Sequence, residues 1–276
     1  MRILRILSGI LIFGVLTVVT QVGGIVFLFS LLAFRLIDKV KIRPWVRTVG
    51  KVFSFAILYL LLVLVIVPPI ATLYGRVPLP IFEHGNLKPA NIWTCLLNRN
   101  YVRPRLKEIA LKVAEDMNSK FPGATVNYLD ANFPFLNNFP LLPHLSHYDG
   151  KKLDLSFQYN DSKTGEITID VPSFTGYGIC EEPMEGEEDV PLDCEKKGFW
   201  QYSFLRDMVS QDNKSLFSMD NERTSELVNS YAAHDGIGKI FIEPHLKTRL
   251  QLTNSKIRFH GCQAVRHDDH IHVQLR

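Results

Sequence analysis

The chain has 276 residues, 21% of them charged, and a formal net charge of +3; a chain of this length holds one ordinary domain plus something smaller. The basic excess sits mainly around one short connection, and no Lys/Arg-rich stretch with interleaved aromatics occurs elsewhere. A nucleic-acid partner is therefore not expected.

The averages conceal a sharp division. No charged residue lies between Arg5 and Arg35, and none between Lys51 and Arg76. Each gap exceeds the roughly 20 apolar residues that a helix needs to cross a bilayer. The pattern predicts a membrane anchor over residues 1–75 with two transmembrane helices, about 9–34 and 52–74. The first run opens like a signal peptide after Arg2 and Arg5. It is too long for a signal-peptide core, and no small-residue cleavage site precedes Arg35. Gln21, Gly23 and Gly24 interrupt it, which leaves a kink or a re-entrant pair open, although each half is short for a crossing. Pro68-Pro69 removes backbone donors and is expected to end the second helix near the membrane surface.

Arg35, Lys39, Lys41, Arg43, Arg47 and Lys51 crowd the connection between the two runs. The positive-inside rule assigns that loop to the cytoplasm, with the N-terminus and the C-terminal domain both outside. The expectation is a multi-pass inner-membrane protein with a periplasmic domain and the lipid bilayer as a partner.

Residues 76–102 read as a linker that also packs on the domain, and 103–276 as the domain itself. Leu106, Ile109, Ala110, Val113 and Met117 recur at helical spacing in 103–120, between Pro104 and Pro122-Gly123. Strand candidates follow at 124–133, 152–159 and 166–171, the last two joined by the turn 160–165. A polar helix near 218–233 precedes strands at 238–244, 256–260 and 270–275. Strands and helices mix without βαβ regularity, so the class is α+β: a central antiparallel sheet with flanking helices. Cys180 and Cys194 bracket an acidic loop that an oxidising compartment would let them close as a disulfide.

Five of the nine histidines fall in two clusters. The first is His144-Leu-Ser-His147-Tyr-Asp-Gly150-Lys-Lys-Leu-Asp154, and the second is His267-Asp-Asp-His270-Ile-His272. Gly150 permits a turn across which His147 and Asp154 converge, and His270 and His272 share one face of a strand. Catalytic zinc takes three imidazole or carboxylate ligands and leaves one position open. His84, His234 and His245 read as isolated surface histidines, and HxH alone is weak evidence; the two clusters together point to a metal site.

The pattern His147-x6-Asp154 with a late His-x-His resembles the LAS metallopeptidases, which include lysostaphin-type enzymes and D-alanyl-D-alanine peptidases. With His144 and His267 added, it most resembles the penicillin-insensitive murein endopeptidases, and GKIFIEPHLK (238–247) looks like the segment before their final motif. The resemblance covers roughly residues 124–276. It implies Zn2+ held by His147, Asp154 and His272, and hydrolysis of peptide cross-links in peptidoglycan. Lys152 departs from the family pattern, which usually has a small or acidic residue there, and so does the membrane anchor.

On this reading His270 is the first choice for the proton-transfer group and Asp269 the second. His144 and His267 bind substrate, steady the oxyanion or orient ligands. The alternatives are a D,D-carboxypeptidase or dipeptidase acting on stem peptides, and a non-catalytic protein that binds zinc or cell-wall peptide at the membrane.

Overall fold

The structure is a computed structural model describing residues 2–276. It begins with helices α1 (Arg2–Thr20) and α2 (Gly23–Asp38), which pack against each other, and α2 packs in turn on α3 (Pro44–Leu61). A π-turn at Leu62–Ile66 leads into α4 (Val67–Leu73). The continuous helix Pro44–Leu73 is long and apolar enough to cross a membrane.

The single helix expected over 9–34 is instead a tight hairpin. Gln21 breaks it with φ of +64°, Thr17 and Thr20 donate to the carbonyls of Phe13 and Leu16, and the Thr20 hydroxyl accepts from Gly23 N to cap α2. Close approach of the two helices explains the glycines. A Cβ on Gly24 would lie 2.0 Å from Thr17 Oγ1 and 2.8 Å from the Phe13 carbonyl. The hairpin sets the start of α1 at the same end as the α2–α3 connection, opposite the domain. The start of α1 thus lies at the end of the hairpin away from the domain, whose residues bond its tip.

The hairpin tip is built into the domain. The Thr20 carbonyl accepts from Asn98 Nδ2 at 3.3 Å, and Gln21 Oε1 accepts from Phe135 N at 2.8 Å. Val22 packs with Val63, Val67, Ala71 and Tyr101.

Residues 76–102 are folded structure rather than a spacer. They carry β1 (Val77–Pro78), β2 (Leu87–Pro89), α5 (Ile92–Leu96) and β3 (Tyr101–Val102). Next come α6 (Pro104–Lys120), β4 (Val126–Asp130), β5 (Lys152–Leu155), β6 (Tyr159–Asp161) and β7 (Ile167–Thr168). Then follow α7 (Val190–Lys196), α8 (Phe204–Met208), β8 (Phe217–Met219), α9 (Asn221–Ala233), β9 (Ile237–Phe241), α10 (Pro244–Arg249), β10 (Ile257–Arg258) and β11 (Ile271–Leu275). The main sheet has the order β10-β9-β11-β5-β4-β2, antiparallel at its centre and parallel at both edges.

Period-two alternation divides the central strands. Leu153, Leu155, Ile271 and Val273 enter the core with the apolar stripe of α6 and with Leu227, Val228 and Tyr231 of α9. Each such side chain, fully buried, contributes about 1.5–3 kcal/mol. Asp154 and His272, directly paired in register, therefore face the opposite side of the sheet. In β4 the register shifts between Tyr128, opposite Leu155, and Asp130, opposite Asp154. That extra residue is a β-bulge, and it turns Asp130 from the core face to the face of Asp154.

The cysteines pair differently from expectation: Cys194 is bonded to Cys262, with Cα atoms 5.3 Å apart, and Cys180 is a buried free thiol. Cys180 lies in a segment held against the second histidine cluster, where Glu181 N donates to the Asp268 carbonyl. Cys194 on α7 belongs to a small separate core with Val190, Tyr202 and Cys262. Proximity in sequence misled; the acidic loop is held by Glu187, which accepts from Arg249 at 2.5 and 2.9 Å. A bond spanning 68 residues stabilises by about 4 kcal/mol in the chain-entropy account.

Candidate metal centre

Three strands and one loop converge on the centre. The loop between β4 and β5 carries both His144 and His147, and its geometry is set from two sides. Gly150, with φ of +81°, closes it against Arg76 and Arg103, whose Nε atoms would lie 3.2 and 3.3 Å from an added Cβ. Arg76, fully buried at the end of α4, donates to the carbonyls of Phe133 and Tyr148 and to Asn137 Oδ1. Burial pushes its pKa down to about 10, which still leaves it charged at neutral pH.

His147, Asp154 and His272 meet in the space so formed, all buried, and can hold a metal ion. His147 Nε2 is 3.3 Å from His272 Nδ1 and 3.3 Å from Asp154 Oδ1, and His272 Nδ1 is 2.8 Å from Asp154 Oδ1. The partners of the outer atoms of His147 and Asp154 turn their inner atoms toward the centre. His147 Nδ1 lies 2.6 Å from the Ala131 carbonyl, an acceptor, so Nδ1 carries the proton and Nε2 the lone pair. The Tyr177 hydroxyl donates to Asp154 Oδ2 at 2.7 Å, leaving Oδ1 to the centre.

Electrostatics favour a charged carboxylate here. Burial opposes ionisation of Asp154, but His147, His270 and His272 around it hold its pKa well below the usual carboxylate range. Burial draws the His272 pKa down to about 4, against the pull of Asp154. The ring is therefore neutral at physiological pH, the form that ligates metal. Burial and the charges of Asp154 and Asp130 keep Tyr177 protonated, as its donor role requires.

The other expected residues gather around this core. His270 Nδ1 is 2.5 Å from Asp269 Oδ1, and its Nε2 is 3.9 Å from Asp154 Oδ2. Burial lowers the His270 pKa, but Asp269 and Asp154 outweigh it and raise it to about 9. Asp269 is engaged at both oxygens, since Oδ2 accepts from Gly178 N at 2.6 Å. The His267 ring centroid lies 4.9 Å from that of His270 and 5.8 Å from that of His272. His144 Nδ1 is 2.9 Å from Asp130 Oδ2, while its buried Nε2 has no partner in the protein. Lys152 pairs with Asp149 at 2.6 Å, over the Tyr148 ring.

Sequence reasoning missed four neighbours of the centre. Asp130 is held by Arg99 through both carboxylate oxygens and in turn holds His144. Tyr177 is the third. The fourth, His260, stacks on Phe241 with centroids 4.1 Å apart, and Phe241 is the β9 partner of His272. The only sequence signals were an acid inside the strand candidate 124–133 and a tyrosine between two glycines. His245, read as a surface histidine, is buried with Nε2 2.8 Å from the Glu181 carbonyl.

A cavity of ≈ 410 Å³ opens beside the centre, with His144, Asp130 and Tyr177 in its inner wall. No protein-family model matches this chain, and no curated protein matches it.

Proposed function

We propose that this protein is a membrane-held zinc peptidase that hydrolyses peptide cross-links of peptidoglycan. The observation that carries the reading is the donor triangle of His147, Asp154 and His272, with edges of 2.8–3.3 Å. Zinc–nitrogen bonds of about 2.0–2.1 Å in a tetrahedral shell put donors roughly 3.3 Å apart. Two imidazoles and one carboxylate form the three-ligand set of catalytic zinc, with the fourth position left to water or substrate. Zinc bound there would supply Lewis acidity, polarising a carbonyl and acidifying a water.

The protein's own groups supply the proton chemistry. His270 faces Asp154 with Nε2 and is fixed by Asp269 at Nδ1. Beside a bound dication its ring gives up its proton more readily. His270 then takes a proton from the attacking water, and the Asp269 carboxylate stabilises the imidazolium formed. The proton passes from Nε2 to the leaving amine. Asp269 is thus a positioning residue rather than the base. His144 and His267 contribute ring nitrogens without protein partners, suited to hydrogen-bonding the substrate or the developing oxyanion.

The test is full-length protein in detergent with cross-linked muropeptides. Cleavage to monomers that a chelator abolishes and added zinc restores is the expected result. Zinc binding with cross-links left intact would reduce the protein to a binding module.

The hairpin also revises the membrane arrangement. α1, of 19 residues, is about 28 Å long at 1.5 Å per residue, close to the roughly 30 Å hydrocarbon core. We place the α1–α2 hairpin in the bilayer beside the crossing helix 44–73, so that Arg2, Arg5 and the basic 35–51 segment share the cytoplasmic side. An export-dependent reporter fused after Arg276 is then active, and the same reporter fused before Met1 is inactive. Activity at both ends would refute this arrangement.

A further inference from the structure

The cavity beside the centre has two sides of different chemistry. Its inner wall is His144, Asp130 and Tyr177; the remainder is chiefly apolar and includes Trp93, Leu97, Leu129 and Phe174. Its floor is joined to the hydrophobic helices. Leu97 lines it, while the Leu96 carbonyl accepts from Tyr59 of α3 at 2.6 Å and Asn98 donates to Thr20 at the hairpin tip. The residues on either side of Leu97 therefore tie this wall of the cavity to the apolar helices.

Its rim is equally unusual for a face turned to water. Trp93 is 52% exposed and Phe174 72%; on the His144/His147 loop, Leu142 and Leu145 are 55% and 58% exposed. That loop is fastened by Arg76 to the last turn of the helix 44–73. Exposed apolar side chains at an opening mark an interaction site; here Pro143 of the same loop lines the cavity, and Leu96 and Asn98 tie its wall to the apolar helices.

Resting on the zinc-peptidase reading, we infer that the cavity receives a hydrocarbon chain of an amphiphile resident in the bilayer. The substrate is then lipid-linked: the chain enters past Trp93 and Phe174 onto Leu97 and Leu129. The polar head, with its scissile amide, is left against His144 and the His147–Asp154–His272 triangle. The volume suits a small-molecule chain, falling in the range of roughly 300–1,000 Å³ typical of ligand sites. A domain built onto its membrane helix through Arg76 and Arg103, with no free spacer, meets such a substrate at the surface of the bilayer.

The experiment uses the full chain in phosphatidylethanolamine/phosphatidylglycerol vesicles and palmitoyl-glycine with a diazirine at the end of its chain. Saturable photo-adducts on residues 91–99 and 172–177, displaced by unlabelled palmitoyl-glycine, are expected. Leu97→Trp and Thr175→Trp each put an indole at a residue that lines the cavity, and Thr175 is exposed, outside the packed core. Each should cut the labelling about tenfold while bound zinc stays at the wild-type level. Adducts confined to the outer faces of α1–α3, or unchanged labelling in both variants, would overturn the proposal. So would displacement by acetyl-Leu-Leu-Leu as effective as by palmitoyl-glycine, because the cavity would then read a peptide side chain. Saturable labelling of a wild-type chain that takes up no zinc would sink the peptidase reading and leave the lipid cavity standing.

Discussion

His272→Ala is expected to lose bound zinc and hydrolysis together, whereas His270→Ala keeps its zinc and loses about 100-fold or more in turnover. The two residues are neighbours on one edge of the centre, yet their partners differ. His272 Nδ1 is within 3.3 Å of ligand atoms from both His147 and Asp154. His270 touches the centre only at 3.9 Å, and its other nitrogen is taken by Asp269. Elemental analysis for zinc and turnover on a cross-linked muropeptide separate the two effects. Asp269→Asn adds a further arm: if Asp269 acts through His270, combining the two substitutions costs little beyond His270→Ala alone. An additive loss would make Asp269 a direct participant. Zinc retained with full activity in His272→Ala would remove the proposed centre altogether.

What sequence reveals about this centre depends on how local each constraint is. His147, Asp154 and His272 were legible because a turn at Gly150 and a strand of period two are short-range geometry. Their assembly follows from the pairing of His272 with Asp154. Asp130 was not legible, because alternation places it on the core face with Tyr128 and only the bulge in β4 turns it around. A bulge is fixed by the register between two strands, which no single strand's pattern encodes. The disulfide failed for the same reason, since Cys194 and Cys262 meet through packing around Tyr202 rather than through nearness in the chain. The hairpin at Gln21 sat between these cases. Its glycines were visible in the sequence, but their purpose, contact with Thr17 and Phe13, required the return path of α2. The long amphipathic helix α6 and the strands β4, β5, β9 and β11 were found near their observed positions because their apolar spacing is repeated.

Arg76→Met is expected to destabilise the His144/His147 loop by about 3–5 kcal/mol and to weaken zinc binding tenfold or more. Arg76 is the first charged residue after the helix 44–73, and it is completely buried. Its guanidinium satisfies the carbonyls of Phe133 and Tyr148 and the Asn137 side chain, groups at both ends of the loop. Methionine fills similar space with no donors, so those acceptors stay buried and unpaired, each missing a hydrogen bond to a charged group worth about 1.5–3 kcal/mol. The loop then loses the clamp that sets His147 opposite Asp154, and groups that orient metal ligands typically change affinity by about 10–100-fold. Arg76→Lys keeps the charge but loses the planar fork, and its defect should fall between wild type and Arg76→Met. Zinc competition with a chromophoric chelator reports the affinity, and limited proteolysis between 133 and 150 reports the loop. Faster cleavage with unchanged zinc affinity would mean that Arg76 stabilises the fold without positioning the metal ligands. Loss of both, graded from Lys to Met, would establish that the helix entering the domain sets the geometry of the centre.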